Sequence, residues 1–292
     1  MWMIFAFVSA IFAGLTAILS KVGVKDINSN LATAVRTAVV FVFAWLLAGV
    51  RGTVGGVFGI DAKSAVFLVL SGLATGASWL CYFKALQTGD ANKVAPIDKS
   101  STVMTMLLAA LFLGEGITPV KGVCMVMIAV GTYLMIDLHK SNKSEPSDER
   151  RDGWILWAFL SALFAAATSI LAKIGITNID SDLGTAIRTS VVLVMAWAVV
   201  FYTGGTSDFG KIKCKNLFFL TVSGGATGLS WFAYYRALQT GPASVVVPID
   251  KLSILVTVLF SRIVLGERLS KKAAVGLAVL VAGTLLLVKS AA

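Results

Sequence analysis

The sequence has few charged residues for its length. Only 14% of its 292 residues are charged, whereas 57% are hydrophobic and the mean hydropathy is +0.87. A soluble domain usually carries about 25% charged residues. This composition excludes a soluble enzyme, a disordered chain and a disulfide scaffold, and it predicts a polytopic membrane protein.

Residues that commonly carry catalysis or bind metals are scarce. The single histidine, His139, lies in a hydrophilic stretch, and the three cysteines (Cys81, Cys124 and Cys214) are scattered along the chain. Their spacing fits neither a metal site nor a disulfide framework. The sequence also has no phosphate-binding loop of the nucleotide-hydrolysing type. We therefore expect no metal, no cofactor and no ATP-driven step.

The net charge of +10 raises the question of a nucleic-acid partner. The basic residues, however, form short clusters between apolar runs and no continuous stripe. An excess of lysine and arginine in the loops of membrane proteins is an ordinary topological signal. The charge distribution thus predicts a lipid bilayer as the protein's surroundings and no nucleic acid.

Apolar runs long enough to cross a membrane recur along the chain. A hydrocarbon core of about 30 Å needs about 20 apolar residues per helix. We keep the first run as a span, because it lacks the basic start of a secretory signal. The ten predicted spans are Trp2–Ser20, Leu31–Val50, Ser64–Leu86, Val94–Leu113, Val120–Leu138, Trp154–Ala172, Leu183–Tyr202, Leu217–Leu238, Val245–Leu265 and Ala273–Val288.

One long hydrophilic segment, residues 139–152, divides the chain almost in half. Its run of lysine, serine, aspartate, glutamate and arginine is typical of a flexible linker. We predict a first repeat over residues 1–138, a linker over 139–152 and a second repeat over 153–292.

The two halves repeat one another at an offset of 152 residues without a gap. The segment Ser71–Trp79 recurs as Ser223–Trp231, and Pro96–Lys99 recurs as Pro248–Lys251. Polar, aromatic and proline residues recur at the same offset, so shared hydrophobicity alone does not explain the similarity.

The number of spans in each half predicts the relation between the halves. Five is odd, so the second half must enter the membrane in the opposite orientation to the first. Such inverted repeats, related by a pseudo-two-fold axis in the membrane plane, are typical of secondary transporters. We therefore predict an all-α membrane protein with ten transmembrane helices in two inverted five-helix repeats.

Both halves also carry the same succession of short motifs. Each has a Trp in its first span and a Lys-x-Gly at the end of it, an Arg in its second span and (Lys/Arg)-Ala-Leu-Gln-x-Gly at the end of its third. Pro-Ile-Asp-Lys follows in the fourth span and Gly-Glu precedes the fifth. This pattern resembles the EamA family of the drug/metabolite transporter superfamily.

The resemblance implies a fold and a class of function. Each half is similar to the single five-helix EamA proteins that assemble as dimers, so the chain resembles a fused pair that works as a pseudo-dimer. It implies secondary transport but does not identify the substrate, because members of the superfamily handle amino acids, nucleotide sugars, phosphorylated sugars and cations.

The distribution of lysine and arginine predicts the orientation in the cell membrane, which in bacteria is the inner membrane. The side that carries the linker and the basic loop 211–215 receives most of these residues. The positive-inside rule makes that side cytoplasmic. The resemblance implies instead that both termini lie inside. Our prediction follows the charge count and places the linker in the cytoplasm.

Charged residues in or near the spans are candidates for substrate binding and gating, because charge inside a membrane is costly. We expect them in two clusters near opposite faces. Asp98 could pair with Arg36 or Lys84, and Asp250 with Arg188 or Arg236. The alternative is that these side chains extend to the interface or stabilise helix starts. The candidates are Arg36, Lys84, Asp98 and Lys99 in the first half and Arg188, Arg236, Asp250 and Lys251 in the second.

Aromatic residues follow the same repeat. Trp79 and Tyr82 are three residues apart and share a helical face, as do their equivalents Trp231 and Tyr234. They could line a cavity between the halves. The alternative, equally weighted, is an interfacial aromatic belt or simple packing.

Other repeated residues predict structural roles. The motifs Gly72-x-x-x-Gly76 and Gly224-x-x-x-Gly228 permit close helix contacts. Pro96 and Pro248 are interpreted as helix starts, where a missing N–H costs little. Thr118 and Pro119 are likewise interpreted as a helix cap and the first residue of the next helix. We expect Glu115 and Glu267 to cap the next helix.

The sequence favours a secondary transporter of a small organic metabolite that works by alternating access. The cationic excess favours a carboxylated or otherwise anionic, amino-acid-like substrate. Protons are a candidate coupling ion through Asp98 and Asp250. The alternatives are a proton-independent exchanger or facilitator of another substrate class, and a receptor or scaffold that transports nothing. An intramembrane enzyme would need a nucleophile–base pair or a metal site, and the sequence offers neither.

Overall fold

The computed structural model describes residues 1–23, 27–88, 94, 97–135, 153–264 and 270–291. Within these ranges the chain is built from α-helices and two short 3₁₀ helices, Val54–Gly59 and Gly205–Lys211, with no β-strand. The α-helices are α1 (Trp2–Gly23), α2 (Ser29–Val50), α3 (Ala62–Thr88), α4 (Ser101–Leu113), α5 (Pro119–Leu134), α6 (Trp154–Gly175), α7 (Ser181–Tyr202), α8 (Cys214–Thr240), α9 (Ala243–Lys251), α10 (Ser253–Val264) and α11 (Lys271–Ala291).

Polar caps determine where several helices begin. The side chain of Asn28 accepts hydrogen bonds from the first backbone N–H groups of α2, and Asp180 does the same at the start of α7. Thr118 caps α5 and Pro119 occupies its first turn, as predicted. These side chains satisfy N–H groups that have no partner within the helix.

Seven of the described helical segments are long and apolar enough to cross a membrane, and α5 is a shorter apolar helix. The long segments lie in α1, α2, α3, α6, α7, α9–α10 and α11. Helix α8 has 27 residues but is less apolar, and part of the predicted span 94–113 lies outside the described residues. The all-helical class is confirmed, and the count of ten spans stays a prediction.

The ninth predicted span consists of two helices. Helix α9 begins at Ala243 and ends at Lys251, and α10 continues after Leu252. Pro248 lies inside α9, so its interpretation as a helix start is wrong. Pro242 precedes the first helical residue instead. The equivalent Pro96 lies outside the described residues.

Equivalent helices of the two halves pack against each other in opposite directions. Near one end of the α2–α7 pair Arg51 contacts Asp182, and near the other end Asn30 contacts Thr203. Helices α5 and α11 are also antiparallel, since Gly131 lies against Gly276 and residues near the start of α5 lie against Gly283. We call the surface at which α1 begins face A and the surface at which it ends face B.

The remaining contacts interlock the halves. Helix α1 packs antiparallel to α8, and α3 packs antiparallel to α6. Because α1 and α6 are equivalent, as are α3 and α8, these two contacts are the same contact made twice. The first helix of each half therefore lies against the third helix of the other.

Small residues allow these approaches. A Cβ atom on Gly72 would lie 2.6 Å from Val191, and one on Gly76 would lie 2.5 Å from Met195, both on α7. Gly224 and Gly228 of α8 meet α2 at similar distances. The prediction of close helix contacts at both glycine motifs is confirmed.

Candidate functional site

Two neighbouring cavities lie between the halves. One has a volume of about 250 Å³ and the other about 440 Å³. Ala13, Ser101 and Lys251 line both of them. The larger cavity extends towards face B, where it reaches Thr132 and Met135 near the end of α5. Together they form a polar chamber that we call the central cavity.

Two equivalent hydrogen-bonded clusters flank the central cavity. The hydroxyl of Ser9 on α1 donates to the Oδ1 atom of Asp250 at 2.6 Å, and Ser230 on α8 lies 3.2 Å from Ser9. Each cluster joins helices from both halves, so each ties one half to the other.

The second cluster repeats this geometry in the other half. Ser161 on α6 donates to Asp98 at 2.7 Å, and Ser78 on α3 lies 3.4 Å from Ser161. We call the two sets the Asp–Ser clusters, with members Ser9, Ser230 and Asp250, and Ser161, Ser78 and Asp98.

The partners predicted for the carboxylates differ from those observed. In this conformation serine hydroxyls, and not Arg36 or Arg188, make the closest described contacts to Asp98 and Asp250. That the two charged clusters lie near opposite faces stays a prediction, although the lysines of both clusters reach the same cavity. Lys99 and Lys251 line one cavity, because α9 carries Asp250 and Lys251 about 12 Å from the start of the helix.

Arg188 is buried at the face A end of the central cavity. The residue is 2% exposed, and its Nε and Nη2 atoms donate to Ser71 at 2.9 Å and Thr75 at 2.6 Å on α3. Its guanidinium lies about 5 Å from the ring centroids of Trp231 and Tyr235. The Nη1 atom has no partner among the described residues.

The equivalent arginine has different surroundings. Arg36 is only half-buried and donates to Ser20 at 2.6 Å, and Ser20 in turn lies 2.8 Å from Ser223. Ser223 is the equivalent of Ser71. Arg188 bonds Ser71 directly, whereas Arg36 is linked to Ser223 only through Ser20. The two arginines therefore break the symmetry that the Asp–Ser clusters keep.

Of the other predicted cations, two lie away from the cavity and two line it. Arg236 is at the face A end of α8, 3.9 Å from Asp180 and 3.4 Å from Ser181. Lys84 is exposed and does not line either cavity. Lys99 and Lys251 are exposed to the cavity space, and Lys99 also lines a groove between α4 and α5.

Three of the four predicted aromatic residues line the cavity. They are Trp79, Trp231 and Tyr234, whose hydroxyl lies 2.9 Å from the Ser169 hydroxyl. Tyr82 packs instead against a separate apolar cluster that includes Trp154.

Side chains of α6 and α8 donate hydrogen bonds to backbone carbonyls at face A. Lys173 on α6 donates to the carbonyls of Leu238 and Gly241 at the end of α8. Gln239 donates to the carbonyls of Ile176 and Ile179 at 2.8 Å and 2.7 Å. These contacts hold the ends of α6 and α8 together between the cavity and the surface.

Glu115 closes face A across the two halves. Its carboxylate accepts hydrogen bonds from the backbone N–H groups of Ala243 at 2.7 Å and Ser244 at 2.9 Å, the first residues of α9. A carboxylate at a helix N-terminus satisfies free donors and complements the helix dipole. Glu115 was expected to cap the next helix, but it caps a helix of the other half. Glu267 lies outside the described residues.

We expect Glu115→Ala to expose the central cavity at face A. The variant loses two charge-assisted hydrogen bonds to α9, each worth roughly 1.5–3 kcal/mol. A cysteine placed at Val247, which lines the cavity, should react with a thiol reagent about ten times faster in this variant.

The control for this experiment is Asp61→Ala. Asp61 is also a carboxylate near face A, but among the described residues the hydrogen bond that it accepts comes from the backbone N–H of Ser64, in the first turn of α3. Cys214, the exposed native cysteine, is replaced by serine in every sample. Equal labelling rates in the Glu115 and Asp61 variants would contradict the role given to Glu115.

The two ends of the α2–α7 pair carry different contacts. At face A the Nη1 atom of Arg51 lies 2.9 Å from Asp182, a side chain with 1% exposure. The hydrogen bond and the charge of Asp182 raise the pKa of the Arg51 guanidinium above its usual value. At face B the equivalent positions hold a neutral bond of 3.0 Å from Asn30 to Thr203.

Several residues of the site were not predicted. Ser9 and Ser161 are equivalent in the repeat, which is a signal in the sequence. A serine in an apolar span, however, does not by itself indicate a binding site. Tyr235, which also lines the cavity beside Arg188, belongs to the repeated aromatic set, and its equivalent is Phe83. Asp182 and Arg51 lack charged equivalents, so the repeat gave no indication of their contact.

Comparisons with known proteins give the family. The sequence profile of the EamA-like transporter family matches residues 1–137 and, a second time, residues 152–289. The chain belongs to the EamA-like transporter family. The two matches make this EamA-like chain a tandem of two family units, in agreement with its internal repeat.

Relatives of two lengths resemble this EamA-like chain. An "Uncharacterized transporter in cobO 3'region" from Sinorhizobium sp is 46% identical over 134 residues, which is 46% of this chain and 95% of the relative. An "Uncharacterized transporter" from Archaeoglobus fulgidus is 24% identical over 283 residues, which is 96% of this chain and 95% of the relative. One relative thus corresponds to a single repeat and the other to the whole chain.

A solved structure shares the fold. A protein crystal structure superposes with a TM-score of 0.79, covering 99% of this chain and 97% of the other at 13% identity. The family and the apolar helices together make the EamA-like chain a multi-pass membrane protein.

Proposed function

We propose that this protein is a secondary transporter of a small carboxylated or otherwise anionic, amino-acid-like metabolite. It would work by alternating access between two inverted five-helix repeats, with ten membrane spans in total. The observation that carries the proposal is the polar central cavity between antiparallel halves, with Arg188 and the two lysines on its walls. Membership of a transporter family supports the same class of function.

The Asp–Ser clusters would serve as the pivot of the motion. Both clusters are formed at once in this conformation, at 2.6 Å and 2.7 Å. Because both bonds are present in one conformation, neither bond can be specific to the state that is open at face A or to the state that is open at face B. We infer that these clusters persist while the halves tilt about them.

The arginines would serve as alternating gates. Arg188 is locked against Ser71 and Thr75, whereas Arg36 reaches only Ser20. Exchanging the roles of the repeats places Arg36 against Ser223 and Thr227 and frees Arg188. The present conformation would then be the one closed at face A, with the cavity extending to face B.

The orientation follows the charge count. We propose that face B, which bears the linker 139–152, is cytoplasmic in the cell membrane, so the present conformation faces inward. Cys214 begins α8 at face B and is exposed. On intact cells, a membrane-impermeant thiol reagent should leave Cys214 unlabelled and should label it once the cells are opened. Labelling on intact cells would reverse the orientation.

The function is tested by uptake into liposomes that contain the purified protein. Carboxylated, phosphorylated and neutral labelled metabolites are supplied in turn, with and without a pH gradient. We expect saturable uptake of a carboxylated compound and none by empty liposomes. Stimulation by the gradient would favour proton coupling, whereas exchange without it would favour the alternative. A folded protein that moves no compound would contradict the proposal and favour a receptor or scaffold.

A further inference from the structure

Lys99 and Lys251 are related to each other by the pseudo-two-fold axis. They are equivalent residues, one from each half, and both line the larger cavity. Neither ammonium group has a hydrogen-bond or ion-pair acceptor in the part of the chain that the structure describes. Two like charges that face the same chamber attract an anion into it.

The neighbouring carboxylates do not supply that anion. Asp98 and Asp250 precede the two lysines, and adjacent side chains on a helix do not face one another. Their Oδ1 atoms accept from Ser161 and Ser9 of the opposite half. The space between the lysines therefore stays available to a ligand.

The charge of the cavity walls limits the charge of that ligand. The described walls carry three cations, Arg188, Lys99 and Lys251, and two carboxylates, Asp98 and Asp250. This leaves a formal charge of +1. A cavity whose walls carry one sign of net charge attracts a ligand of the opposite sign. A ligand of net charge −1 balances the walls, whereas a neutral or doubly charged ligand does not.

We propose that Lys99 and Lys251 together bind one carboxylate of a ligand with net charge −1. The proposal rests on the proposed function in that the site is the same central cavity, and it narrows the substrate class to singly charged anions. Because the two lysines are equivalent, each takes the position of the other in the cavity when the halves exchange roles. The same two groups then bind the ligand in the inward-facing and the outward-facing states.

The test is calorimetric titration of the purified full-length protein in detergent at low ionic strength. Three small probes are used: lactate with charge −1, succinate with charge −2, and alanine with no net charge. We expect lactate to bind at least about ten times more tightly than the other two. Stronger binding of succinate, or equal binding of alanine, would overturn the proposal.

Variants change the charge of the walls in both directions. Lys99→Gln and Lys251→Gln should each weaken lactate binding by about ten- to a hundredfold, to similar extents. Asp98→Asn raises the wall charge to +2 and should shift the preference from lactate to succinate. Lys63→Gln, an exposed lysine outside the cavity, should bind like the wild type.

The design separates this proposal from the function. If the glutamine variants fail to fold, Lys99→Arg and Lys251→Arg should retain the lactate preference, and Asp98→Asn alone still tests the charge rule. Lactate binding with no flux in liposomes would contradict transport and leave this site standing. If the wild type transports but the Asp98 and lysine variants keep the wild-type preference among the three probes, this site is contradicted and transport is not.

Discussion

Replacing Asp98 or Asp250 by asparagine is expected to lower uptake in liposomes at least about tenfold. Each carboxylate accepts a short hydrogen bond from a serine of the opposite half. Hydrogen bonds to charged groups contribute roughly 1.5–3 kcal/mol, and the amide retains only a weaker neutral bond. The substitution nearly preserves volume, so the helices should still insert and pack.

The serine partners provide the control for this prediction. Ser9→Ala removes the same bond from the other side, so combining it with Asp250→Asn should cost little more than either change alone. Ser161→Ala should behave likewise with Asp98→Asn. Uptake by Asp98→Asn and Asp250→Asn at the wild-type rate, with normal membrane yield, would remove the Asp–Ser clusters from the mechanism.

Gly131→Ala is expected to destabilise the contact between α5 and α11 by about 1–3 kcal/mol, the usual range for overpacking. The added Cβ would lie 2.5 Å from the backbone nitrogen of Leu280 and 2.7 Å from the carbonyl oxygen of Gly276. Backbone atoms cannot rotate away as a side chain can, so the helices must separate. The melting temperature in detergent should fall.

Gly122→Ala on the same helix is the matched control. A Cβ at that position meets nothing within 4 Å. Alanine is favoured over glycine inside a helix by up to about 1 kcal/mol, so this variant should melt at the same or a higher temperature. Opposite signs for two identical substitutions on α5 would locate the effect at the crossing. A fall of the same size in both variants would contradict it.

Periodicity and the internal repeat were enough to predict much of the fold. The apolar runs predicted helices, the polar caps predicted starts such as Thr118, and the repeated glycines predicted close approaches. The break at Leu252 was missed, since apolar residues on both sides of Pro248–Lys251 were combined into one predicted span. The span count remains a prediction, because hydropathy alone leaves α8 below the level of the other long helices.

The candidate site was only partly predictable. The repeat pointed to Arg188, Asp250 and Lys251, since charged residues at equivalent positions of apolar spans stand out. It did not predict that serines bind the carboxylates, because a hydroxyl has many possible acceptors and its partner depends on how helices pack. Nor could any argument from equivalence predict that Arg188 is buried while Arg36 is half-exposed.

The α2–α7 pair shows where the two repeats have diverged. One end is joined by oppositely charged groups, Arg51 and Asp182, and the other by the uncharged Asn30 and Thr203. Salt weakens an ionic contact more than a neutral one. The two repeats therefore differ in how their contacts respond to ionic strength. Rising ionic strength would weaken the contact between Arg51 and Asp182 at face A and leave the contact between Asn30 and Thr203 at face B unchanged.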